Sequence, residues 1–291
     1  MESFVQSVVS GVLTGSLYAM IAIGLTIVFG VMRIINLAHG EMVMLGMFGA
    51  YWSYTLWGID PFLSIVIWAP LMFAGGMLVH RFLLKDVIPR GELNTLLYTA
   101  GFSLLVANLA LFFWTGDYRT LNLPYALMPA RPFGIAVPIS LAIAFAMAIA
   151  LTGALYLLLS RTDVGRAIRA TAQNREAAQL MGVRVSVVYA QVLALSGALA
   201  ALSGIMVSSL SGLLPNMGGD PMLKAFIICV VAGLGNVYGA VIAALALGLL
   251  EAYIQYVLGV RYSFAILLLL VIVVLIWRPY GLFGRRQVVR L

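Results

Sequence analysis

Long apolar runs, separated by short charged or glycine- and proline-rich breaks, occupy most of the sequence. About 20 apolar residues cross a bilayer, and a helix satisfies its own backbone hydrogen bonds in lipid. Each run therefore predicts a membrane-spanning helix, and the predicted spans are 4–30, 42–57, 61–80, 94–114, 137–159, 186–211, 222–258 and 263–278. The pattern predicts an all-α, polytopic membrane protein with one transmembrane domain over residues 1–291.

The run 222–258 is too long for one span and short for two, and Gly233, Gly235 and Gly239 lie in its middle. We interpret it as a broken helix or a tight hairpin, which gives nine crossings, or eight if 222–234 only re-enters. A second glycine-bearing break opens segment 34–49, so the two halves of the chain resemble each other loosely. Paired interrupted segments of this kind often mark the substrate path of a transporter.

Composition excludes a soluble protein. Charged residues make up 9% of the chain, against roughly 25% in soluble domains, and 63% of the residues are apolar. The whole net charge of +7 lies in two places, because residues 160–184 carry +3 and the tail from Arg278 carries +4. Basic loops of membrane proteins face the cytoplasm. We therefore expect a multi-pass protein of the bacterial inner membrane, with its N-terminus outside and its C-terminus in the cytoplasm.

Candidate chemistry is sparse. His39 and His80 are far apart and have no cysteine or carboxylate cluster at metal-binding spacing. No serine lies in a G-x-S-x-G turn, and neither Lys85 nor Lys224 follows a phosphate-binding loop. We expect no catalytic residue, metal or cofactor in this chain, and with only two lysines we expect no nucleic-acid partner.

The segment Asn36–Glu41 puts an imidazole and a carboxylate between two apolar runs. Ionisable groups inside a membrane are costly and are functional candidates. The alternative is a short cytoplasmic loop with both side chains at the interface. A second polar segment, Asn216–Pro221, is either an ordinary loop or the entry to a half-helix whose positive end faces a carboxylate.

The arginine-rich segment 160–184 predicts two short helices on the membrane surface. Thr162 or Asp163 suits the first N-cap, Asn174 suits the second, and Gly182 suits the left-handed position after them. The arginines bind either anionic lipid headgroups or a protein partner. Two capped helices with a glycine stop favour the protein partner.

Four segments together resemble the permease subunits of bacterial ATP-driven (ABC) importers for branched-chain amino acids, of the LivH type. The segments are 15–41, 165–183, 222–252 and 278–284, and they include the NLAHGE and GLGNVYGA blocks. The resemblance implies a pore subunit that works with a second homologous permease, two cytoplasmic ATPases that hold the ATP, and an external substrate-binding protein, all at the lipid bilayer.

The resemblance also assigns candidate site residues. The loop matches the importer pattern E-A-A-x-x-x-G, which implies that it couples to the ATPases through Asp163, Gly165, Arg166, Arg169, Glu176, Ala177, Ala178 and Gly182. We expect the translocation path to run along Asn36, His39, Glu41, Gly233, Gly235, Asn236 and Gly239.

Two alternatives remain open at this point. Permeases for urea or short amides share the same blocks, so the substrate class is not decided by them. An ion-coupled carrier that works alone would need embedded carboxylates, for which Glu41 and Glu251 are the candidates.

Overall fold

The computed structural model describes residues 2–126, 128–130 and 135–284. In these residues the chain forms α1 (Glu2–Met32), α2 (His39–Trp57), α3 (Ile65–Val79), α4 (Glu92–Trp114), α5 (Ile139–Arg161), α6 (Asp163–Gln173), α7 (Arg175–Leu180), α8 (Val185–Ser208), α9 (Gly219–Ala232), α10 (Val237–Val257) and α11 (Val260–Trp277). A π turn (His80–Leu84) extends α3, a 3-10 turn (Ile88–Arg90) precedes α4, and two-residue strands β1 (Pro129–Ala130) and β2 (Val137–Pro138) pair antiparallel before α5.

Helix α1 lies inside the bundle and packs antiparallel against α10. Phe4 near its start contacts the ring of Tyr256, while Gly30 near its end meets the backbone of Gly235. These two contacts define two opposite faces of the bundle. We call them the N-terminal face, which holds the start of α1, and the paired-helix face, which holds its end together with α6 and α7.

The paired-helix face gathers the segments that the charge pattern places together. The end of α1 borders a groove lined also by Ile88 and Glu92 before and in α4, and by residues 171–176 of α6 and α7. The segment before Gly284 returns to the same face, where Phe283 accepts a hydrogen bond from Asn236. The basic residues Arg285, Arg286 and Arg290 lie outside the described residues.

Within residues 2–126, 128–130 and 135–284, seven helices are long and apolar enough to cross a membrane alone. Helix α9 has 14 residues, or about 21 Å, which is shorter than a hydrocarbon core of about 30 Å. The non-helical residues 209–218 precede α9, and the non-helical residues 33–38 precede α2. The prediction of nine crossings requires α2 and α9 to cross in addition to these seven helices. Region 222–258 breaks at residues 233–236, between α9 and α10.

Residues 33–38 turn back into the bundle. Arg33 has a positive φ of 55°, and a few residues later the His39 ring reaches the carbonyl of Ile21. Ile21 lies 11 residues before the end of α1, or about 16 Å along its axis. The interfacial alternative for this segment is therefore wrong, because α2 begins deep inside the bundle.

Candidate functional site

The start of α2 is fixed by His39. Its Nε2 lies 2.8 Å from the Ile21 carbonyl oxygen and its Nδ1 lies 3.2 Å from the Ser196 hydroxyl, and the side chain is fully buried. A carbonyl only accepts, so Nε2 carries the proton and Nδ1 accepts from Ser196. Gly24 leaves the space that the ring occupies. Because both ring nitrogens are engaged, His39 anchors α2 to α1 and α8.

The start of α9 meets the start of α2. A methyl group on Gly40 would overlap the carbonyl oxygen of Gly218, and one on Gly218 would overlap the carboxyl group of Glu41. Two interrupted crossings thus touch where each changes from coil to helix. We call this contact, formed by residues 36–41 and 216–220, the junction. The break before α2 therefore meets the break before α9, rather than the glycine-bearing break at 233–239 with which the sequence pairs it.

Helix α4 supports the junction through two hydroxyl groups one turn apart. Thr99 accepts a hydrogen bond from the Leu37 amide at 3.3 Å, and its single hydroxyl proton is shared between the Leu96 carbonyl at 3.0 Å and the Ile35 carbonyl at 3.3 Å. Ser103 donates to Oε1 of Glu41 at 3.1 Å. Helix α4 therefore provides hydrogen-bond partners for two backbone groups of the break, and a non-helical segment inside a membrane requires such partners.

Two polar atoms of the junction have no partner among the described residues. They are Oε2 of Glu41 and Nδ2 of Asn36, whose residues are 7% and 2% exposed. The other amide atom of Asn36, Oδ1, accepts from the Ala38 amide at 3.2 Å. The junction therefore holds one free acceptor and one free donor in buried side chains.

One side of the junction is open. Asn216, Gly219 and Asp220 are exposed, although α9 begins at the depth of Gly40. Polar groups at this depth do not face lipid but line water-filled cavities or contact protein. The open side is therefore a candidate wall of a passage, and Asn216, Gly219 and Asp220 join the candidate residues. Their sequence signal was the helix-breaking run before α9.

The remaining predicted path residues form a separate group at the paired-helix face. Asn236 caps α10 by accepting from the Gly239 amide at 3.0 Å, and its Nδ2 donates to the Phe283 carbonyl. Gly233 and Gly235 both have positive φ and pack against backbone, Gly233 against Gly284 and Gly235 against Gly30. The structure thus brings Asn36, His39 and Glu41 together but places this glycine-rich turn apart from them.

The paired helices α6 and α7 form with the predicted caps. The Thr162 hydroxyl accepts from the Gly165 amide at 3.1 Å, Asn174 accepts from the Ala177 amide at 3.0 Å, and Gly182 has φ +85°. Among the predicted coupling residues, Gly165 and Ala178 are buried, whereas Asp163, Arg166, Arg169, Glu176, Ala177 and Gly182 are exposed. Asp163 and Arg166 form an ion pair on the surface of α6.

Apolar side chains project from the end of α7. Leu180 and Met181 are 88% and 84% exposed. Beside them lies the groove of about 460 Å³ described above, with Asn174 and Arg175 in its lining and Arg175 over the ring of Tyr189. An exposed apolar tip beside a polar groove is typical of a protein-docking surface.

A partly buried triad in the bundle was not predicted. The Lys224 ammonium donates to the Tyr18 hydroxyl at 2.6 Å and to Glu251 at 3.0 and 3.4 Å, and lies 4.4 Å from the centre of the Tyr18 ring. The triad joins α9 to α1 and α10. The available sequence signal was Lys224, the sixth residue of a short apolar helix, because a lysine within a membrane protein requires an acidic partner.

Comparison with known proteins defines the family of this chain. Residues 7–275 match the family described as branched-chain amino acid transport system, permease component. The chain belongs to this family. It is 29% identical to the high-affinity branched-chain amino acid transport system permease protein BraD of Pseudomonas aeruginosa and to LivH of Escherichia coli, covering 98% of this chain and 97% of each relative. No solved structure matches the chain.

A shorter similarity reaches a protein with a different stated role. The chain is 33% identical over 140 residues, 45% of its length, to the autoinducer 2 import system permease protein LsrC of Salmonella paratyphi B. Family membership and the apolar helices together establish a multi-pass membrane permease component.

Proposed function

We propose that this chain is a membrane permease of an ATP-driven importer that carries leucine, isoleucine and valine. The observation that carries the proposal is the junction, where two interrupted crossings meet inside the bundle beside an exposed polar surface. Interrupted helices at mid-membrane depth are where transporters hold their substrates. The full-length similarity to BraD and LivH supports branched-chain amino acids as the substrate class.

The proposed partners follow from the two ends of the bundle. The exposed Leu180 and Met181 and the neighbouring groove suit the docking of one cytoplasmic ATPase on this chain. A second ATPase docks on a second homologous permease. A substrate-binding protein docks on the N-terminal face. ATP binding and hydrolysis on the partners move α6 and α7, and this motion shifts the bundle between two conformations. The proposal includes the coupling role of the residues predicted in α6 and α7. It also includes the orientation in the bacterial inner membrane, with the paired-helix face in the cytoplasm.

The direct test is import by the purified complex in proteoliposomes. We expect labelled leucine to accumulate only with ATP and the loaded binding protein, and excess isoleucine or valine to compete, whereas urea does not. Uptake by this chain alone under a proton or sodium gradient would identify an ion-coupled carrier instead. Competition by urea or a short amide, without competition by valine, would assign the chain to the other substrate class.

The coupling role is tested by a matched pair of glycines. Gly182 and Gly259 both have positive φ and open space where a side chain would project, but they lie on opposite faces of the bundle. We expect Gly182→Glu, combined with Ala177→Glu, to reduce ATP-dependent import at least tenfold while the chain still inserts and folds. Gly259→Glu is expected to retain import within about twofold. Normal import in the first variant would contradict coupling through this loop.

A further inference from the structure

The junction carries two acids without a cation beside them. Among the described residues the ion pairs are Arg166–Asp163 and Lys224–Glu251, so Glu41 and Asp220 take part in neither. Asp220 is exposed on the open side of the junction, where water or a partner can solvate it. Glu41 is buried, so its charge depends on what the protein or a bound molecule supplies.

Glu41 is held in place but left incomplete. Ser103 donates to Oε1, while Oε2 is buried without a donor, and the carboxyl group packs directly against Gly218 at the entry to α9. A buried charged oxygen without a hydrogen bond is costly, and charge-assisted bonds are the strong ones. A bound donor at this position would remove that cost, and a cationic donor would remove it most completely.

Asn36 presents the opposite deficit in the same break. Its Oδ1 is used by the Ala38 amide, whereas its Nδ2 is a buried donor without an acceptor. Asn36 and Glu41 belong to the same six-residue segment, which α4 holds at both ends through Thr99 and Ser103. A free acceptor and a free donor in one short segment are complementary to a molecule that carries one cation and one anion.

We propose that the junction is a transient binding site for the zwitterionic head of an amino acid, with Glu41 receiving its ammonium group and the Asn36 amide donating to its carboxylate. The entrance that we propose is the side of the junction on which Asn216, Gly219 and Asp220 are exposed. The apolar side chain of the substrate takes no part in this recognition, which therefore suits leucine, isoleucine and valine equally. The inference rests on the proposed function, because it names the path residues of that import.

The first test compares three variants of the complete complex in proteoliposomes. Glu41→Gln removes the charge, Glu41→Asp retains it, and Ser103→Ala removes only the donor to Oε1. We expect Glu41→Gln to lower leucine import at least tenfold, with the other two retaining a third or more. Hydrolysis of ATP stimulated by the loaded binding protein should stay within about twofold of wild type in all three variants, because the site acts after docking.

A matched control separates this role from packing. Ser203 is buried like the junction residues, but its hydroxyl bonds only the Leu199 and Ala200 carbonyls of its own helix. Ser203→Ala should therefore leave import unchanged. If Glu41→Gln lowered import and ATP hydrolysis together, or lowered the yield of folded complex, Glu41 would be a structural residue and the assignment would be wrong.

The second test uses two fragments of leucine as inhibitors. The probe 3-methylbutylamine keeps the ammonium group, and 4-methylpentanoate keeps the carboxylate. We expect the amine to inhibit wild-type import under conditions where the binding protein stays loaded, and to inhibit the residual import of Glu41→Gln at least fivefold less. Asn36→Leu should weaken inhibition by the acid but leave that by the amine. Equal inhibition by the amine in both proteins would contradict the role of Glu41.

These outcomes distinguish the site from the function. Wild-type complex that imports no leucine contradicts the proposed function and the site together. Wild-type complex that imports leucine, together with a Glu41→Gln variant that imports it equally well, contradicts the site and leaves the importer function supported.

Discussion

Two carboxylates lie inside the bundle in contrasting surroundings. Glu251, 9% exposed, is neutralised by Lys224 at 3.0 Å, and the same ammonium group contacts Tyr18. Glu41, 7% exposed, receives one hydroxyl donor and has no basic residue in ion-pair contact among the described residues. Both acids contact or adjoin the short helix α9, Glu251 through Lys224 and Glu41 through Gly218.

The difference separates a group that holds the fold from a group that is available for binding. A buried acid whose cation comes from the chain itself is complete, and another cation would have to displace Lys224. A buried acid with a free oxygen is incomplete in the absence of a ligand. An ion-coupled carrier needs embedded carboxylates of the second kind, so Glu251 is poorly suited to that role, whereas Glu41 is suited to a passing ammonium group.

The largest effect is expected when the Lys224–Glu251 ion pair is broken. Lys224→Met leaves the Glu251 carboxylate without a cation. Removal of one partner of a fully buried ion pair costs about 3–5 kcal/mol, and the cost here lies toward the lower end because the Lys224 side chain is 25% exposed. We expect the free energy of unfolding to fall by that order, which thermal unfolding of the purified chain in detergent would show as a lower Tm.

The double variant Lys224→Met/Glu251→Gln is the control for this prediction. It removes both charges, so at least half of the lost stability should return, because the uncompensated charge causes most of the loss. A single variant as stable as the wild type would show that the pair contributes nothing. A double variant no better than the single would assign the loss to packing instead.

The predictable part of this structure was encoded locally. Caps at Thr162 and Asn174 and the left-handed Gly182 were predicted because each acts within about three residues of its own chain. The interruption at 233–236 was predicted for the same reason, since glycines that favour positive φ cluster there. Apolar run lengths then set the number of crossings, including the two carried by region 222–258.

The candidate site depended on contacts between distant segments. His39 meets Ile21 and Ser196, and Gly40 meets Gly218, and no local pattern around these residues names the partner. The sequence alone also left open whether Asn36–Glu41 lies at the interface, because a polar hexapeptide between apolar runs fits both depths. Lys224 and Glu251 were visible as charges, but their pairing required two helices, α9 and α10, to be placed side by side.

The second prediction tests how closely α2 and α9 must pack around Glu41, the buried acid that has no cation among the described residues. Gly40→Ala would place a methyl group onto the Gly218 carbonyl and separate α2 from α9. Extra volume in a packed site costs about 1–3 kcal/mol, and displacement of Gly218 would also move the carboxyl group of Glu41. We expect leucine import to fall at least tenfold, with a Tm reduced less than in Lys224→Met.

Gly219 provides the matched control, since it is adjacent to Gly218 but a methyl group there meets nothing within 4 Å. Gly219→Ala should therefore retain the Tm and most of the import. If both alanine variants behaved alike, close approach of the two helices would not be what the junction requires, and the enclosure of Glu41 would have another cause.

The smallest expected effect concerns a third carboxylate, Asp60, which lies in the partly exposed loop between α2 and α3. Its Oδ2 accepts a hydrogen bond from the Tyr125 hydroxyl, and burial together with the Asp60 carboxylate raises the pKa of Tyr125 above its ordinary value. Water reaches this acid, so it needs no cation, and Tyr125→Phe should reduce stability by only about 1 kcal/mol.

Because the pKa of Tyr125 is raised in the folded protein, its contact with Asp60 stabilises the protein below about pH 10 and is lost as the pH rises further. The Tm difference between wild type and Tyr125→Phe should accordingly stay constant from about pH 6 to 9 and shrink above about pH 10. A difference that instead grew at alkaline pH, or that equalled the Lys224→Met effect, would mean that access to water does not separate Asp60 from the two acids inside the bundle.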